Sequence, residues 1–236
     1  MARNPIPVVV LSHRKTEFLE TTIKSVRARV GNIGPIVVVD DSGCRTHYQW
    51  LGSHFNGSYS IVSYGENAGY LEAMKTVFTV ALELTETTGS DYVLLWEEDF
   101  VARKSFDAHS LAAIMDLNPG LANLNLQRQA VYRVERTRGY LESHVLRGYD
   151  LTRECSEGAL WVSRMRPFTT NPGLIRKDIL EIEWPTREES DQVSGGAEPA
   201  MSLRLEADKW YFGWYGKWNQ PSVHHVGRQQ KTGTGY

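Results

Sequence analysis

Residues 91–101 read DYVLLWEEDFV, an apolar run that ends abruptly in three consecutive acids. Tyr92 to Trp96 has the length and side-chain types of a buried strand. Glu97, Glu98 and Asp99 follow, and apolar character resumes at Phe100 and Val101. Carboxylates gathered at the C-terminal edge of a buried strand repel one another and are costly to desolvate. A divalent cation relieves such a cluster, and magnesium, manganese or calcium prefers oxygen ligands. By itself the triplet reads equally well as a set of solvated strand-end acids. The surrounding chain has to decide.

Upstream, strands and helices alternate. Residues 6–11, IPVVVL, carry valine at three consecutive positions, as expected when both faces of a strand are covered. Thr16 is placed to cap a helix bearing Phe18, Leu19, Ile23 and Val26, which Gly31 and Gly34-Pro35 stop. A second strand, 36–39, ends in Asp40-Asp41-Ser42-Gly43, and a short helix over 46–55 leads through Asn56-Gly57 to a third strand, 59–64. Gly65-Glu66-Asn67-Ala68-Gly69 opens a long helix whose Leu71, Met74, Phe78, Ala81 and Leu82 share a face. After the acidic strand end, a helix from about Ser105 to Leu117 is stopped by Asn118-Pro119-Gly120. The alternation predicts an α/β fold with a mostly parallel central sheet flanked by helices. In such sheets ligands bind beyond the carboxyl ends of the strands. That rule gathers Ser12, Asp40, Asp41, residues 64–67 and Glu97 to Asp99 at one rim.

The second half is less regular. A strand is expected over 121–127, then a polar, Arg- and Gly-rich stretch over 128–157. A strand or turn over 170–174 enters a short helix over 175–180. Residues 188–199 read as a loop, 198–206 as a short helix and 210–218 as an aromatic segment, chiefly packing. The end, 229–236, has no apolar face and is expected to order only over a ligand. No repeat or linker divides the 236 residues.

Composition narrows the partners. A net charge of -2 gives no electrostatic reason to expect nucleic acid. The longest apolar runs are too short to span a bilayer. The opening MARNPIPVVV lacks the pattern of a secretory signal. Cys44 and Cys155 are too few for a disulfide framework or a zinc site. A cytoplasmic setting is the expectation.

Several short motifs have a chemical and an ordinary reading. The Asp40-Asp41 pair can bond a ribose or base, or its own turn backbone. Asn67-Ala68-Gly69 can offer N–H groups to an anion or simply cap a helix; it lacks the spacing of a Walker loop or dinucleotide fingerprint. In residues 222–228, SVHHVGR, neighbouring side chains of an extended segment point oppositely, so at most one of His224 and His225 faces a given site. Arg228 and Lys231 suit a diphosphate or open solvent.

Taken in order, VVVLSHRKTEFLETTIKSV, IVVVDDSG, the NAG turn, YVLLWEEDF, NPGLIRKDIL, GGAEPAMSLRL and VHHVG resemble family-2-type glycosyltransferases with the GT-A fold. The resemblance runs from Pro7 to about Gly227. It implies one glycosyltransferase domain over 1–236, with a nucleotide-sugar-binding half (1–120) and an acceptor-binding half (121–236) that ends in a flexible tail. It implies that Leu11, Ser12, Asp41, Asn67, Glu98 and Arg228 hold the nucleotide sugar. Asp99 matches the metal-binding position, with His225 completing the shell and His224 in reserve. The cation would be Mn2+ or Mg2+. The family's base lies in a Glu-Asp pair opening a helix; here Glu198 matches the first acid and Pro199 replaces the second. Glu198 is therefore the candidate base, with Asp191 or Glu189 from the preceding stretch as alternatives.

The implied reaction is inverting transfer of a hexosyl group from a nucleoside-diphosphate sugar, a UDP-sugar in the first instance, to a hydroxyl of a glycan, protein or small molecule. A non-catalytic nucleotide-sugar or glycan-binding module is the alternative, kept open by Pro199. A nucleotidyltransferase ranks lower, because Ser12-His13-Arg14-Lys15 supplies charge after the first strand but no glycine.

Overall fold

A computed structural model describes residues 3–55, 60–63, 67–126, 151–156, 159–164, 168–216 and 221–227. Residues 64–66, most of the polar stretch over 128–157, Trp218, Arg228, Lys231 and the 229–236 tail lie outside the described residues. The first half runs β1 (Ile6–Ser12), α1 (Thr16–Arg29), β2 (Val30–Gly31), β3 (Ile33–Asp40), α2 (Arg45–His54), β4 (Ser60–Ser63) and α3 (Tyr70–Thr88). It continues with β5 (Tyr92–Glu97), β6 (Phe100–Ala102), β7 (Phe106–Asp107) and α4 (Ala108–Leu117). Then come β8 (Leu121–Asn125), β9 (Leu151–Ser156), β10 (Ala159–Arg164), β11 (Gly173–Arg176) and α5 (Lys177–Leu180). The chain closes with α6 (Arg187–Gln192), α7 (Ala197–Ala207), β12 (Tyr211–Tyr215) and β13 (Val223–His225).

Among the described residues one nine-stranded sheet has the order β4-β3-β1-β5-β11-β8-β12-β10-β9. It is parallel from β4 through β5, and β8 and β12 are parallel again. Between those parallel parts β11 runs antiparallel to both neighbours, and β10 is antiparallel to β12 and β9. Gly173 permits the insertion of β11: a Cβ there would stand 3.0 Å from the Leu124 carbonyl oxygen and 3.2 Å from Asn125 Cα.

Period-two alternation divides the core into two layers. Val8 and Val10 of β1 pack with Leu19, Ile23 and Val26 of α1 on one face. Val9 and Leu11 pack with Met74, Val77 and Phe78 of α3 and Met201 of α7 on the other. Val8, Val9 and Val10 are fully buried, and each contributes about 1.5–3 kcal/mol by leaving water. Register then fixes the rim: Leu11 sits opposite Val39 and Glu97, and Ser12 opposite Asp40.

Three local expectations change. Thr16 opens α1 without capping it; Lys15 occupies the cap position and its side chain makes no capping bond, following Arg14 at φ 68°. The helix expected from Ser105 starts at Ala108, where the Asp107 carboxylate accepts from Ser110 N–H. The loop expected over 188–199 overlaps α6, whose Thr186 cap and Glu189 form a reciprocal capping box, and the start of α7. No described helix is long and apolar enough to cross a membrane.

Candidate active site

The three acids at the end of β5 and in the turn after it separate into three environments. Glu97 continues the face of Val93 and Leu95 and approaches Thr170 Oγ1 at 3.3 Å. Glu98, on the opposite face, is 4% exposed and turned inward. Its Oε2 accepts from the Ser12 hydroxyl at 2.8 Å and from Lys15 N–H at 3.2 Å. Asp99 points along the rim, where its Oδ2 lies 2.8 Å from Lys15 Nζ and 3.2 Å from His225 Nε2. Glu98, expected among the residues that hold the nucleotide sugar, forms a buried tie between β1, the start of α1 and β5.

The turn that aims Asp99 is held from several directions. Thr22 Oγ1 donates to the Glu98 carbonyl at 2.7 Å, and Trp96 Nε1 donates to the Phe100 carbonyl at 2.7 Å. β13 pairs with β6, placing His225 opposite Phe100, and Val226 N–H donates to the Asp99 carbonyl at 2.8 Å. The His225 ring packs on Phe100 at 4.6 Å. His224, its neighbour in an extended strand, leaves from the other side. Gly227 leaves room for the carboxylate: a Cβ there would fall 2.4 Å from Asp99 Oδ2.

Electrostatics follow from this burial. Desolvation, with the charges of Asp99 and Glu198 added, pushes Glu97 up to about 8 against the opposing bond from Thr170. Desolvation likewise raises Glu98 to about 7, against the bonds from Ser12 and backbone N–H groups. Burial opposes the charge on Lys15, but the bond to Asp99 and the neighbouring carboxylates outweigh it and raise its pKa.

On the nucleotide side, Asp40 closes its own turn, its Oδ1 accepting from Ser42 N–H at 2.9 Å. Asp41 reaches further, accepting from Ala68 N–H at 3.1 Å and linking the β3 end to the start of α3. Burial raises its pKa, and the Ala68 bond opposes that. Asn67 is exposed and its Oδ1 accepts from Gly69 N–H at 2.9 Å, the ordinary turn arrangement. Leu11 and Ser12 are buried, with the Leu11 carbonyl accepting from Glu98 N–H at 3.0 Å. Ser12 Oγ also lies 3.0 Å from Nε2 of His47, a buried ring whose pKa desolvation lowers.

Across Glu97 stands Glu198 in the first turn of α7. Its Oε1 accepts from Thr170 N–H at 2.7 Å, Thr170 Oγ1 at 2.6 Å and Thr169 Oγ1 at 3.3 Å. Tyr70 OH joins Thr170 Oγ1 at 2.9 Å. Thr170 thus connects Glu97 to Glu198. Asp191 is exposed on α6. Glu189 is committed to the Thr186 cap and to Arg204, whose hydrogen bond lowers it to about 2, unsuited to proton abstraction.

Sequence reasoning brought Asp99, His225 and Glu198 forward, and it missed Lys15, His47 and Thr170. Lys15 follows a strand by three residues, the only signal it carries. Nothing in the sequence announces that Thr170 meets Glu198.

No protein family matches the sequence, and no curated protein matches it. Solved structures do match. A mannosyltransferase from Pyrobaculum calidifontis, PcManGT, in complex with GDP-Man and Mn2+, aligns with TM-score 0.53 and 14% identity over 90% of this chain and 55% of its own. GalNAc-T7 with UDP, GalNAc and Mn2+ aligns with TM-score 0.58 and 11% identity over 94% of this chain and 44% of its own. S. aureus TarS aligns with TM-score 0.57 and 11% identity over 94% of this chain and 36% of its own. The fold is that of GT-A-type glycosyltransferases. The chain spans between about a third and just over half the length of these proteins.

Whether the GT-A rim of this chain suits a divalent ion can be judged from its donor set. Among the described residues no three His, Cys, Asp or Glu side chains gather to hold a metal by themselves. Asp99 Oδ2 and His225 Nε2, 3.2 Å apart, form a pair. Two ligands at about 2.1 Å from one ion and near a right angle lie roughly 3 Å from each other, so the pair fits. Magnesium-type ions characteristically use one or two carboxylates, here Asp99, and take the rest from waters and substrate phosphates.

Proposed function

We propose that this chain is a metal-dependent glycosyltransferase that moves a sugar from a nucleoside-diphosphate sugar to an acceptor hydroxyl with inversion. A UDP-sugar is the favoured donor, and a glycan, a protein or a small molecule the acceptor. The observation that carries the reading is the separation of roles around the β5 end. Asp99 and His225 lie at one side, and Glu198 lies beyond Glu97 on the other.

Asp41, with the backbone of Leu11 and the start of α3, forms the nucleotide side. Asp99 and His225 hold the divalent ion, which supplies electrostatic stabilisation of the diphosphate leaving group. Glu198 takes the proton of the acceptor hydroxyl as the new bond forms at the sugar carbon and the diphosphate departs. Its three bonds all end on Oε1, so Thr169 and Thr170 fix the carboxylate and leave Oε2 for the acceptor. Arg228, outside the described residues, serves as a further diphosphate ligand.

The test is Glu198→Gln. Donor affinity by calorimetry with Mn2+ is expected to stay within about threefold, and turnover to fall by about 10²–10⁴-fold. Retained turnover would move the base elsewhere. The engagement of Glu198 by three donors, beside Pro199, favours one second reading, a nucleotide-sugar-binding module. Such a module binds donor and releases no nucleoside diphosphate, with or without Mn2+.

A further inference from the structure

The loop between β1 and α1 is built to deliver one ammonium group to the acidic rim. Arg14 adopts φ 68°, and its guanidinium donates to the Ser42 carbonyl at 2.9 and 2.6 Å, fixing the loop against the β3 end. Lys15 N–H is tied to Glu98 Oε2, and Leu19 N–H to the Lys15 carbonyl, as α1 begins. From this anchored backbone the side chain extends until Nζ stands 2.8 Å from Asp99 Oδ2. That oxygen is the same one His225 approaches. The Asp99 side chain is 7% exposed and that of Lys15 42%. A nearly buried carboxylate needs a counter-charge, and breaking such a pair leaves the charge uncompensated. Lys15 supplies it.

We infer that Lys15 is a built-in counter-cation that a divalent ion must displace from Asp99, so that the ion binds weakly until a diphosphate takes up the ammonium. The inference rests on the metal reading of Asp99 and His225. Two cations cannot share one carboxylate oxygen without strong repulsion, so the ion gains Asp99 only as Lys15 leaves. Leaving is open to Lys15, because its stem is flexible and partly exposed while its backbone stays pinned. A diphosphate beside the ion offers the ammonium a replacement anion. Donor and metal then bind with positive coupling, each raising the affinity of the other by the same factor.

The test is Mn2+ binding to the full chain without nucleotide, read from the free-ion signal by electron paramagnetic resonance. Lys15→Met is expected to bind Mn2+ about tenfold tighter than the wild type, within the range usual for coupled sites. Lys15→Gln, a polar uncharged replacement, must show the same gain, and Lys15→Arg must not. Adding Asp99→Asn to Lys15→Met must abolish the tight site. Thermal melting of each variant establishes that it is folded. Equal, Asp99-dependent affinity in wild type and both neutral variants overturns the inference and leaves the metal reading standing. Absence of Mn2+ binding in all of them, at millimolar ion, overturns both.

Discussion

Glu97 sits between two other carboxylates, Asp99 two residues on in the chain and Glu198 across Thr170. Burial and those charges hold its pKa at about 8 in the folded protein. An unfolded chain releases that proton near 4.3. The folded state therefore binds more protons between these values, and stability falls as pH rises through the window, then levels off above it. Glu98, raised to about 7, adds to the same slope. Glu97→Gln removes one of the two penalties. In metal-free protein it is expected to leave the Tm unchanged near pH 4.5 and to raise it by on the order of 5 °C at pH 8.5. Calorimetric scans at the two pH values check this, and an equal shift at both would remove burial of charge as the cause. At this scale legibility was uneven. The order of motifs already singled out Asp99, His225 and Glu198. Strand alternation also separates Glu97 from Glu98, although the resemblance assigned Glu98 to the nucleotide. Lys15 was illegible, since its reach depends on a left-handed φ at Arg14 that an arginine does not advertise.

The element that completes the rim is a short ribbon, β6 paired with β13. Asp99 leaves β5 just before the ribbon, and Gly227 lies against its carboxylate. Gly227→Ala would place a methyl group 2.4 Å from Oδ2, well inside van der Waals contact, while Lys15 and His225 hold that oxygen. Loss of at least tenfold in Mn2+ affinity is expected, with a fall in Tm of only a few degrees, because β13 lies outside the main sheet. Unchanged Mn2+ affinity would separate the ribbon from the site. Among the elements, the Val-rich parallel strands were readable because burial on both faces leaves continuous apolar runs. The insertion of β11 between β5 and β8 was not readable, since pairing between distant segments leaves no periodic trace. α6 was readable in principle: Thr186 and Glu189 have capping-box spacing, and the acids around them masked it.

At the scale of the molecule, the carboxyl ends of the parallel strands form a single rim, as the α/β alternation predicts, and the sheet matches GT-A structures at 11–14% identity. Fold was thus more legible than specificity. PcManGT is in complex with GDP-Man and GalNAc-T7 with UDP and GalNAc, so this architecture alone does not choose a base or a sugar. Where a cation and a diphosphate meet this rim is decided by a crystal grown with MnCl2 and UDP and measured at the manganese absorption edge. The expected result is an anomalous peak about 2.0–2.2 Å from the Asp99 carboxylate and His225 Nε2, touching the diphosphate, with Lys15 Nζ moved off Asp99. UDP bound with the peak elsewhere, or with Lys15 still seated on Asp99 and no peak at all, would contradict it.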